Sequence, residues 1–254
     1  MTTLSLPKDR LVEGSLPLYA DISLLTAERH GTAALLQDGD FHFAAGSPTV
    51  SLTADEFARA ALDYPIVFVG PARHAFAVTG LNANRNPFID DSGRYRPGAY
   101  VPAYLRRHPF ALVRDPAQGQ WVLAVDEFST RLAPLDEAGA LPLFEQGVPT
   151  ETTRSAVTFC EAYEAAQQRT AQYVELLDEF DLFEARQAHH RPRQADGSDA
   201  PPQLLLDYVA VSRDRLAALD LASLGRLRAI GGLEPLYAHL LSEANWERLA
   251  FAVT

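Results

Sequence analysis

The chain has 254 residues, 47% of them hydrophobic, which is enough to bury a large core in one compact unit. A formal charge of −11 sets up a negative field that repels phosphate backbones and anionic lipid, so nucleic acid is not an expected partner. The single cysteine, Cys160, excludes an intramolecular disulfide and any multi-cysteine metal site, and fits a reducing compartment.

Lys8 is the only lysine, so the positive charge is nearly all arginine, whose planar donor fork suits carboxylates. A coding bias toward Arg, Ala, Pro and Asp explains the same fact more simply. The first residues, MTTLSLPKDRLVEG, hold no apolar run of signal-peptide length. No later segment approaches the uncharged stretch of about 18 residues needed to cross a bilayer. The expectation is a soluble, cytoplasmic protein.

Residues 1–50 mix short apolar runs with turn residues, as in DGD at 38–40 followed by FHFAAGSP, and predict one or two short strands. Thr53 and Glu56 then have capping-box spacing, with Leu52 and Phe57 at the positions of a hydrophobic staple, so a helix is expected over 54–62. Pro65 stops it, and the β-branched and aromatic run 66–69 reads as a buried strand that turns at Gly70 and Pro71 to pair with 73–79. Beyond Asn82 a structured loop follows, in which DDSG at 90–93 suits a type I turn. Pro102 opens and Pro109 closes a short helix on which Tyr100 and Tyr104, four apart, share a face.

Residues 110–114 and 120–125 flank DPAQG as a hairpin. From Thr150, apolar residues at Val157, Cys160, Tyr163, Ala166, Tyr173, Leu177 and Phe180 fall at helical spacing, predicting one long helix or two joined ones. Flanked by Phe159 and Tyr163, Cys160 reads as a small buried hydrophobe. HHRPRQADGSDAPPQ, at 189–203, reads as an exposed loop. A strand over 204–211, a cap at Ser212 and helical segments from Asp220, broken at Gly231 and Gly232, complete the chain. The predicted class is α+β: a single domain over 1–254, with a mainly antiparallel sheet from the middle of the chain and a helical C-terminal half packed on it, sheet-rich over 1–148 and helix-rich over 149–254.

Five patches in order, FARAALDYPIVFVG from Phe57, NPFIDDSGRYRPGAYVPAYLRRHPFAL from Asn86, AVDEF from Ala124, LFEQGVPT from Leu143 and YAHLLSEANWERL from Tyr237, resemble the SapC family of bacterial proteins. YVPAYLRRHPF is the most specific of them. Departures are the Asn86, Pro87 pair and Tyr95, where similar proteins tend to have an apolar residue after the Asn and a Trp in place of the Tyr. The resemblance implies an association with bacterial surface-layer proteins or their secretion, and with tryptophan-halogenase and outer-membrane receptor systems, but no reaction. The peptide-transporter permease of the same name is excluded, because it needs several apolar spans.

Arg94, Arg96, Arg106 and Arg107, with Tyr95, Tyr100 and Tyr104, predict a cationic, aromatic surface able to hold a carboxylate or an extended peptide. Over 85–108 five arginines face only Asp90 and Asp91, opposite in sign to the chain as a whole. A purely structural reading competes with it. Arg106, Arg107 and His108 at a helix C-terminus each oppose the macrodipole by roughly 0.3–1 kcal/mol, and Arg94 or Arg96 could anchor the loop to Asp126 or Glu127.

Among seven histidines, His189 and His190 are adjacent and would need Asp196 or Asp199 to complete a site, His42 shares a predicted strand face with Asp40, and His239 sits in an apolar helix. There is no HExxH, GxSxG, phosphate loop or GxGxxG, so neither a metal nor another cofactor is expected. The first functional expectation is a non-enzymatic accessory protein that binds a protein or peptide partner through residues 86–108. The alternative is an enzyme or small-molecule binder for an amino-acid or peptide substrate, with or without a metal, using His42 or the loop histidines with Asp126. A surface-layer component itself is the third reading and requires export.

Overall fold

A computed structural model describes residues 16–37, 39–82, 84–115, 119–190 and 201–251. The class is α+β, as predicted, and every strand pair is antiparallel. Five strands form the largest sheet, in the order Phe183–His190, Gln203–Val211, Ile66–Val69, His74–Val78, Thr49–Ser51. It draws on both halves of the chain. A second sheet orders Ile22–Leu24, Trp121–Asp126, Phe110–Arg114, and a third orders Leu132–Pro134, Ala33–Leu36, Ala140–Pro142. A two-stranded ribbon, Phe144–Glu145 with Val148–Pro149, leads into the helix Glu151–Glu179.

Local chemistry explains most of these elements. The Thr53 and Glu56 capping box forms, opening a 3-10 turn that passes into the helix Phe57–Ala60. Leu52 and Phe57, at the staple positions, are both buried. Ile66, Val67 and Phe68 are buried in the central strand, whose Ile66 amide donates to Ser242 Oγ at 3.0 Å and so ties the sheet to the helix Leu233–Ser242. The long helix is one element. It buries Cys160, Tyr163, Ala166, Thr170, Tyr173 and Leu177, the stripe that the three-to-four spacing predicts. Gly231, at φ +72, adopts the left-handed conformation that ends the helix Leu221–Ala229.

Three expectations are corrected, and one strand has no counterpart among them. Phe183–His190 is a strand, although FEARQAHH has one large apolar residue. Full pairing with Gln203–Val211 holds it, and Arg186 covers its polar side through Glu184 and Glu243. The expected loop over 189–203 therefore loses both ends to strands, and its centre, 191–200, lies outside the described residues. His42 lies in a 3-10 turn, His42–Ala44, and not in a strand. The helix after Pro102 spans only Ala103–Arg106, so Tyr100 precedes it and does not share a face with Tyr104.

Cys160 is buried as expected, and burial pushes its thiol up to about 11, against the lowering effect of Arg107. In native protein at pH 8 it should react with an aromatic disulfide reagent at least about 100-fold more slowly than in urea. Equal rates would show that the long helix packs loosely around Cys160.

Candidate functional site

The segment 53–64 builds the scaffold for residues 86–108. Glu56 is buried, and its carboxylate takes four donors: the Thr53 amide at 2.9 Å, the Thr53 hydroxyl at 2.8 Å, the Tyr100 hydroxyl at 2.9 Å and the Ala103 amide at 2.6 Å. Asp63 accepts the Tyr100 amide at 2.8 Å, and Tyr64 donates to the Tyr100 carbonyl at 2.5 Å while sharing a 2.7 Å contact with the Tyr95 hydroxyl. DDSG turns as expected, with the Gly93 amide donating to the Asp90 carbonyl at 2.9 Å and Asp90 Oδ1 accepting the Ser92 and Arg94 amides.

The six proposed binding residues divide. Tyr104 and Arg107 lie inside the protein, and Arg107 is 4% exposed. Its guanidinium faces the rings of Tyr163 at 4.4 Å, Tyr104 at 4.5 Å and Tyr19 at 5.6 Å, and donates to Glu164 at 3.2 Å. The three ring faces and one carboxylate offset the desolvation of this charge, so the residue that looked like a surface cation is a core one. Burial pushes the Tyr104 hydroxyl up to about 12, and that hydroxyl donates to the Pro17 carbonyl at 2.5 Å.

Arg94, Arg96 and Arg106 are exposed. Arg96 lies over Phe88 at 4.5 Å. Arg106 is held at several points: its Nε donates to the Val101 carbonyl at 3.0 Å, its Nη2 to the Tyr100 hydroxyl at 3.2 Å, and its guanidinium lies 5.3 Å from the Phe159 ring centre and 5.8 Å from that of Tyr100. The exposed Arg59 stands 5.7 Å over Tyr100 as well. Among the described residues, no carboxylate pairs with Arg94, Arg96 or Arg106. Beside Arg106 opens a hollow of about 520 Å³ between the long helix and the two three-stranded sheets, with Arg107, His108 and Arg131 in its wall and Phe110, Leu35, Leu141 and Phe159 as apolar lining.

Asp126 and Glu127 do not anchor the loop arginines. Asp126 is buried and accepts the amides of Ala20, Asp21 and Phe128, which outweigh its desolvation and hold its carboxyl below the usual range. It also faces His108 Nε2 at 3.3 Å. Burial drives His108 down to about 4, against the pull of Asp126, so the ring is neutral at pH 7. Glu127 takes the Ser23 hydroxyl, Arg29 at 2.9 Å and His30 at 3.1 Å. His239 is a core residue, as expected, whose Nε2 accepts the Val211 amide at 3.0 Å. His189 is exposed near a strand end, and Asp196 and Asp199 lie outside the described residues.

The alternative reading named His42 with Asp126, but His42 takes other partners. Its Nδ1 meets Asp40 Oδ1 at 2.7 Å and its Nε2 the Asp91 carbonyl at 3.2 Å, while Thr130 donates to the other Asp40 oxygen at 2.6 Å. With an acceptor at each nitrogen, the ring holds two protons more readily than a free imidazole, and the Asp91 carbonyl and then Asp40 raise its pKa. Its unfolded value is near 6.5, so the stabilising contribution is complete below that pH and is lost as pH rises through the folded value. NMR titration should place His42 above 6.5 and show it falling in Asp40→Asn. A value at or below 6.5 in the native protein would contradict the doubly hydrogen-bonded geometry.

The fold and this site define an α+β protein with a fixed, cationic and aromatic rim beside an amphipathic hollow. No helix among the described residues is long and apolar enough to cross a membrane. The family model described as SapC matches residues 25–249, nearly the whole chain, and the protein belongs to the SapC family. No curated protein and no solved structure matches it.

Proposed function

We propose that this protein is a soluble, cytoplasmic accessory factor that binds a protein or peptide partner in a bacterial surface-protein or export pathway, using the exposed side of residues 86–108. The observation that carries the reading is Arg106, a cation held in place by a carbonyl, a hydroxyl and two aromatic rings and facing no acid of its own chain among the described residues. Much of the ordering cost of a long side chain is already met before a partner arrives, which favours docking of an external carboxylate. Arg96 and Arg59 extend the same chemistry along the loop, while Tyr100 offers an amphipathic ring between Arg59 and Arg106. The overall charge of −11 confines attraction for an acidic segment to this face.

The test is site-specific photo-crosslinking in the bacterium of origin, with benzoylphenylalanine replacing Arg96 or, as a control, Glu175 on the exposed side of the long helix. The reading expects one discrete protein adduct at position 96, reduced by Arg106→Glu, and none at 175. Identical adduct patterns at the two positions would reject the face.

A further inference from the structure

The hollow beside Arg106 combines two features. Its apolar lining, Leu35, Phe110, Leu141 and Phe159, has room for one large side chain, since about 520 Å³ is within the range of pockets that enclose a small ligand. Arg106 stands at its edge as an exposed cation with no carboxylate partner among the described residues, and Glu151, the one acidic lining residue among them, is paired with Arg154.

We infer that the hollow receives the C-terminal end of a peptide chain, with the terminal carboxylate on Arg106 and an apolar last side chain among Phe110, Leu141 and Phe159. Gln37, Thr152 and Ser155 supply neutral polar groups around the same hollow. These suit the amides of a chain leaving it and would have nothing to pair with on a fatty acid. The inference rests on the peptide-binding reading above and narrows it to one chain end.

Calorimetric titration tests it with N-acetyl-trialanyl-phenylalanine as free acid, the same peptide as C-terminal amide, and 3-phenylpropionate. The free acid should bind at least about 10-fold more tightly than the amide or phenylpropionate, a difference of about 1.4 kcal/mol. Ser155→Trp, which fills the hollow from an exposed position, should abolish that binding, and Arg106→Ala should weaken it about 10-fold. Equal binding of acid and amide, no binding of either, or full binding by Ser155→Trp overturns the inference. Phenylpropionate binding as tightly as the peptide acid also overturns it, by assigning the hollow to small carboxylates. Repeating the position-96 crosslink in the Ser155→Trp background separates the two levels: an adduct that persists while the peptide acid fails to bind leaves the docking face standing and removes the hollow.

Discussion

Arg107→Met should destabilise the protein by about 3–4 kcal/mol, close to the cost of breaking a buried ion pair, and lower the melting temperature by about 10 °C. The guanidinium is enclosed by Tyr19, Tyr104 and Tyr163 and donates to Glu164, so its loss removes three ring contacts and one charge-assisted hydrogen bond together. It also leaves the Glu164 carboxylate without its cation. Burial already raises that carboxyl, against the opposing pull of Arg107. Without Arg107 the folded pKa rises further above its unfolded value, so the folded state binds the extra proton more readily and the deficit shrinks as pH falls through the raised value. Arg107→Met with Glu164→Gln should therefore recover part of the loss at pH 7. Urea denaturation measures all three proteins, and a loss below about 1 kcal/mol for the single variant would contradict a core role for Arg107.

Glu56→Gln should cost about 2–4 kcal/mol, although it changes little in size. Each carboxylate oxygen of Glu56 accepts two donors, the Thr53 amide and hydroxyl on one side and the Tyr100 hydroxyl and Ala103 amide on the other. A carboxamide must turn its NH2 toward one of those pairs, placing donors against donors in a buried site. The variant should also loosen residues 100–103 and so the rim that carries Arg106. Hydrogen exchange at the Ala103 amide would rise with it. Stability within about 0.5 kcal/mol of wild type, with exchange unchanged, would show that the capping box does not support the rim.

The sequence is most readable where local chemistry decides. The capping box at Thr53 and Glu56, the turn closed by Asp90 and Gly93, and the stripe from Cys160 to Leu177 each rest on contacts within a few residues. Phe183–His190 was not legible, because its strand is made by pairing with a partner and not by its own pattern. The candidate site divides along the same line. Arginine-rich composition over 85–108 marks the region, but which arginine turns inward is settled by Tyr19 and Tyr163, about 90 residues upstream and 60 downstream. The Glu56 carboxylate ties Thr53 to Tyr100 and Ala103 in the family patch that starts at Asn86, and no spacing rule connects residues so far apart.

The division of labour between neighbouring arginines, one for the core and one for docking, is the claim on which the functional account stands. Measuring the affinity of Arg106→Ala for the protein captured at position 96, alongside its melting temperature in the same preparation, tests it most directly. The account predicts about 10-fold weaker binding, within about 1 °C of the wild-type melting temperature. Unchanged affinity, or a loss of binding that tracks a fall in stability, would contradict it.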